Sequence, residues 1–185
     1  MNEFQLYFEL GLEHILNIGA MDHILFLLAL VLIFSLKEWK KLFWLVSLFT
    51  LAHTSSLLLS VYGVLELNEN LIEKTILITI LITALSNILI KNQKILHQTH
   101  FYFSFFFGLV HGLGFAKDFK MIIVGQHHKL MPLLEFALGI EIAQIMLGIG
   151  ILSLSLIVVK LLKVTQKEFI SILSAMVVGY VLSML

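Results

Sequence analysis

The chain has 185 residues, of which 59% are hydrophobic and 13% charged, with no formal net charge and no cysteine. A soluble core of this size cannot hide that much apolar surface, which excludes a soluble fold, and the missing cysteines exclude disulfides and thiolate metal ligands. The strongly basic residues are all lysine and are balanced by an equal number of acids, so nothing points to nucleic acid. The expected class is all-α, a polytopic membrane helical bundle of about six transmembrane helices in a single transmembrane domain, residues 1–185. The apolar stretches are continuous rather than alternating, which argues against a β-barrel.

The first residues, MNEFQLYFEL, lack a basic leader and carry Glu3 and Glu9, so no cleavable signal is expected. Residues 1–19 read as an interfacial or re-entrant stretch. Six segments then have the roughly 17–25 apolar residues a crossing needs. They run from Ala20 to Leu36, Leu42 to Gly63, Leu71 to Ile90, Phe101 to Ala116, Pro132 to Val159 and Phe169 to Leu185. Lysines gather after the first, third and fifth: Lys37, Lys40 and Lys41, then Lys91 and Lys94, then Lys160, Lys163 and Lys167. Those loops are expected to be cytoplasmic, with both termini outside. Glu66, Glu69 and Glu73, and a mixed loop from Lys117 to Lys129, fall on the other side.

The chemistry lies in ionisable residues set within these apolar runs. His23, His53, His111 and Glu141 are inside them, and Asp22 and Glu73 stand at their ends. An imidazole or carboxylate in hydrocarbon costs several kcal/mol unless paired, so such residues face a bundle interior and mark an ion path, a metal or a catalytic centre. At about 1.5 Å per residue, all six lie between the outer face and the midplane. His14 joins them only if the chain breaks near Gly19. Each has a plainer reading. Asp22 also fits a helix N-cap, and the others fit hydrogen-bonded or solvated side chains. Gly108 and Gly112 flank His111 at a spacing that admits another helix closely. Gln144 stands one turn from Glu141 as a supporting partner. Thr79, Thr83 and Asn87 continue a polar face begun at Thr75. It is either a route toward the inside or a set of interhelical hydrogen bonds. His97, His100, His127 and His128 read as loop histidines.

At these residues the chain resembles the HupE/UreJ family of hydrogenase and urease accessory membrane proteins. The stretches that carry the resemblance are GLEHILNIGAMDHILF (11–26), FTLAHTSSL (49–57), the segment from Glu73 to Asn87, FGLVHGLGFA (107–116) and EFALGIEIAQ (135–144). They cover nearly the whole chain. Thr54, Ala137 and Ala143 depart from the usual pattern. The resemblance implies a six-helix metal permease of the bacterial inner membrane, with nickel the usual ion. It implies His14, Asp22, His23, His53, His111 and Glu141 as site residues, and metalloenzyme-maturation proteins as partners.

Two functions of different class remain open. The first is transport of a divalent ion, nickel foremost and cobalt or zinc next, since imidazole suits these metals and carboxylates offset their charge. The second is an intramembrane zinc hydrolase open to the outer face, in which the metal activates water and Glu141 or Glu73 acts as base. A metal-sensing subunit is a third idea.

Overall fold

The computed structural model describes residues 2–19, 21–65, 68–126 and 128–185. Ala20, Glu66 and His127 of the sequence reading lie outside them. The described residues form α1 (Glu3–Leu16), α2 (Met21–Val31), a 3-10 turn (Leu36–Glu38), α3 (Trp39–Val61), α4 (Glu69–Leu89), α5 (Gln93–Gly114), α6 (Ala116–Ile122), α7 (Leu130–Leu162) and α8 (Gln166–Leu182), with no strand among them.

Three of these helices, α3 with its preceding turn, α4 and α7, are long and apolar enough to cross a membrane. α1 and α2 make a fourth candidate if taken together across a 71° bend. This is fewer than the six segments expected from sequence. α8 has 17 residues and is short for a crossing. α7, at 33 residues, is about 50 Å long and exceeds the roughly 30 Å of a bilayer core.

The helix starts follow from local chemistry. Asn2, Asn68 and Asn92 cap α1, α4 and α5 by accepting backbone N–H bonds, which satisfies donors the helix leaves free. Thr165 and Glu168 form a reciprocal capping box on α8. The cap at Asn92 corrects one expectation. α5 starts eight residues before Phe101, so His97 and His100 belong to a helix and not to a loop.

The bundle has two distinct ends. Lys41 of α3 meets His97 of α5 at 3.3 Å, and Gln166 of α8 donates to the Phe34 carbonyl at 3.4 Å. This is the lysine end. At the opposite end Lys129 lies 5.7 Å from the Tyr62 ring centre, and Lys117 bonds to Glu69 at 2.8 Å. The Glu69 carboxylate raises the Lys117 pKa. Gln126 approaches Glu3, and Phe136 approaches His14 further along. α1 therefore enters from the opposite end beside the start of α7, and α2 continues toward the lysine end.

α2 is apolar all round after His23, which suits only a central position. Phe26, Leu27, Leu30, Val31, Leu32 and Phe34 are each at most 1% exposed. Close backbone contacts hold the other helices. A Cβ on Gly139 would stand 2.2 Å from the Phe8 carbonyl, and one on Gly112 would stand 2.2 Å from the His53 carbonyl. Only glycine permits these approaches of α7 to α1 and of α5 to α3.

Candidate metal centre

The bend between α1 and α2 builds the site. Asn17 ends α1: its N–H bonds to the Glu13 carbonyl at 2.9 Å, and its side chain accepts from Gly19 N at 2.8 Å. This turn sends the chain off axis, so His14 from the last turn of α1 meets His23 from the first turn of α2. Their ring centres are 4.4 Å apart. His53 of α3 comes within 5.7 Å of His14 and 6.4 Å of His23, and His111 of α5 within 5.3 Å of His23. Four helices thus supply four imidazoles to one place.

His14, His23 and His53 each offer a ring nitrogen within 4.8 Å of the others. Nitrogens sharing one ion at about 2.0–2.1 Å stand about 3–4 Å apart, so a closing of about 1 Å completes the geometry. His53 is 0% exposed, His111 1% and His23 5%. Both ring nitrogens of His23 and His53, and Nε2 of His14 and His111, are buried without a hydrogen-bond partner. Each such group costs about 1–3 kcal/mol when left unpaired. His23 Nδ1 is 3.3 Å from Asp22 Oδ1, an ion-pair distance outside hydrogen-bond geometry. A set of buried, unpartnered nitrogens with a carboxylate beside it fits a borderline divalent ion.

Aromatic walls enclose the group. Phe115 lies 4.1 Å from His14, and Phe26 and Phe49 lie 5.0 and 5.4 Å from His111. One side opens into a cavity of about 540 Å3, which His14, His23 and His111 line together with Asp22, Glu13, Glu73 and Asp118. Glu73 therefore faces the same cavity as the histidines. Glu13 and Asp118 were not singled out from the sequence. Glu13 adjoins His14, which is the one signal that could have raised it.

Other expected residues stand elsewhere. Glu141 accepts a hydrogen bond from Ser47 of α3, and Gln144 Oε1 accepts from Thr50 at 3.2 Å. Ser47 is about 9 Å along α3 from His53, toward the lysine end, so Glu141 is engaged away from the histidines. Thr79 donates to the Ile76 carbonyl at 2.7 Å and Thr83 to the Thr79 carbonyl at 2.8 Å, both within α4. Asn87 instead crosses to the Ala29 carbonyl at 2.8 Å and Ser174 at 3.1 Å. The polar face of α4 is thus divided between its own backbone and neighbouring helices.

The family model described as HupE / UreJ protein matches residues 1–185, the whole chain. The chain belongs to the HupE/UreJ family. No curated protein and no solved structure matches it significantly. HupE/UreJ membership and the apolar helices together make this an integral membrane protein. The stretches that carried the resemblance in sequence include every histidine of the cluster.

Proposed function

We propose that this HupE/UreJ protein binds a divalent transition-metal ion at His14, His23 and His53, beside His111 and Asp22, and carries it across the membrane. Nickel is the first candidate, in line with the family's link to hydrogenase and urease, and cobalt or zinc follow from the same ligand chemistry. One observation carries the reading: buried imidazoles from separate helices, with unpartnered nitrogens, stand at the foot of an acid-lined cavity.

The carboxylates of Glu13, Glu73 and Asp118 raise the local concentration of cations at the mouth. The imidazoles then replace the ion's water shell, and Asp22 offsets its charge. α1 with α2, α3, α4, α5, α7 and α8 supply the six crossings, in the bacterial inner membrane. The lysine-rich loops face the cytoplasm and both termini lie outside. The ion is the cargo, and metalloenzyme-maturation proteins receive it.

The openness of the cavity favours a second reading. It leaves room for a lipid or other substrate beside a metal, as a zinc hydrolase requires. Reconstitution in liposomes separates the two. Transport predicts accumulation of radioactive nickel inside the vesicles and its loss in His53→Gln. Bound zinc with lipid cleavage and no uptake by the native chain would favour the hydrolase and overturn transport.

A further inference from the structure

α5 carries two histidines in one pose. His111 Nδ1 donates to the Phe107 carbonyl at 2.7 Å, and His100 Nδ1 donates to the Leu96 carbonyl at 2.9 Å. A carbonyl oxygen can only accept, so in each ring Nδ1 carries the proton and Nε2 keeps the lone pair. In each ring that Nε2 is buried and unpartnered. The two are eleven residues apart, which is three turns, on one face and about 16 Å apart along the axis. His111 belongs to the centre described above. His100 repeats its pose near the lysine end, and it is 0% exposed.

The surroundings of His100 are acceptors. The Ala29 carbonyl of α2 lies against the ring. The same carbonyl accepts from Asn87 Nδ2, which also reaches Ser174 Oγ. With the amide nitrogen committed, Asn87 Oδ1 cannot be exchanged for it, and Oδ1 is left buried without a partner. A lone-pair nitrogen and an amide oxygen therefore flank one carbonyl oxygen. Acceptors held together in a buried place repel one another, and a cation relieves that. His97, one turn further, has Lys41 against its Nδ1 at 3.3 Å and stands outside this group.

We propose that His100 Nε2, Asn87 Oδ1 and the Ala29 carbonyl form a second divalent-cation site, weaker than the histidine cluster and on the lysine side of it. One nitrogen and two neutral oxygens bind a borderline ion loosely. A site of passage must release what it binds, so loose binding suits it. Phe103 and Phe107, stacked at 4.9 Å, and Phe26, 5.9 Å from Phe107, fill the space between the two sites. The ion has two stations with an apolar layer between them. Binding at His100 stands by itself; only its place in a path rests on the transport reading.

The test is the stoichiometry of cobalt and nickel bound to the purified full chain in detergent, by equilibrium dialysis with the cobalt absorption spectrum as a second readout. The native chain is expected to bind two ions, one tightly and one at least tenfold more weakly. His100→Gln should lose the weak ion and keep the tight one. Asn87→Asp, which adds a negative charge at Oδ1, should tighten the weak ion tenfold or more. An unchanged count in His100→Gln, or an unchanged weak affinity in Asn87→Asp, overturns the proposal. Should His100→Gln not fold, Asn87→Asp decides alone. Two bound ions without uptake by vesicles would defeat transport and leave this site standing. Uptake with an unaltered ion count in His100→Gln would do the reverse.

Discussion

His14 and His23 meet edge to face, ring centres 4.4 Å apart, although a 71° bend separates their helices. The contact exists because α1 stops at Asn17 and the chain turns before α2. A continuous helix could not produce it, since residues nine apart point to different faces. Broken helices of this kind place polar groups and free helix ends at depth in a membrane, where an ion can use them. The break is therefore the structural origin of the site.

Loosening that turn should weaken the site without removing a ligand. Asn17→Ala deletes the side-chain acceptor of Gly19 N, a net loss of about 1 kcal/mol. Metal affinity measured by dialysis is expected to fall about fivefold. An equal affinity would mean that the turn does not hold His14 against His23.

Removing ligands should cost more, and in a set order. Changes to groups that support a metal ligand cost about 10–100-fold in affinity. Asp22→Asn is expected in that range, and His53→Gln beyond it. Both affinities should also drop as the pH is lowered, because protons compete for the imidazole lone pairs. If Asp22→Asn proved the more damaging, the carboxylate rather than His53 would be the principal ligand.

The glycine contact between α1 and α7 gives a stability prediction with an internal control. A side chain at Gly139 meets the Phe8 carbonyl at 2.2 Å, whereas Gly150 has nothing within 4 Å. Gly139→Val forces backbone apart, and about 3 kcal/mol of destabilisation is expected, the upper part of the range for overpacking. Gly150→Ala should stabilise by about 0.5–1 kcal/mol through reduced chain entropy. Thermal unfolding in detergent should therefore shift down for the first and up for the second.

The hydroxyls of Thr79 and Thr83 are committed to their own helix backbone. The double variant Thr79→Val with Thr83→Val is expected to keep vesicle uptake within about twofold, since replacing back-bonded hydroxyls changes little. A collapse of uptake would return the face of α4 to the ion path.

How much of this was legible follows from what a one-dimensional pattern can carry. His23, His53 and His111 stood out because each interrupts an apolar run, and the structure gathers them. His14 needed a break near Gly19, and Asn17 supplies it. The start of α5 was hidden because His97, Gln98, Thr99 and His100 look like a polar loop. Their polarity is local, whereas the burial of His100 comes from α2, far away in sequence. Glu141 was equally opaque: its partner is Ser47, on a helix ninety-four residues earlier, and spacing along one chain says nothing of such pairings. The small helix α6 has too few residues to show a period.

The acidic mouth should act through long-range attraction. Glu73→Gln with Asp118→Asn is expected to slow uptake several-fold at low ionic strength, with the difference fading as salt shortens the Debye length to about 8 Å at physiological strength. A difference that persisted at high salt would indicate direct ligation instead.

The most direct measurement is X-ray absorption on the protein loaded with one equivalent of nickel. The spectrum should show several imidazole nitrogens at about 2.0–2.1 Å, the usual metal–imidazole distance. It should also show their number falling in His53→Gln. A first shell made only of water or carboxylate oxygen, and unchanged by that substitution, would contradict a metal centre at His14, His23 and His53.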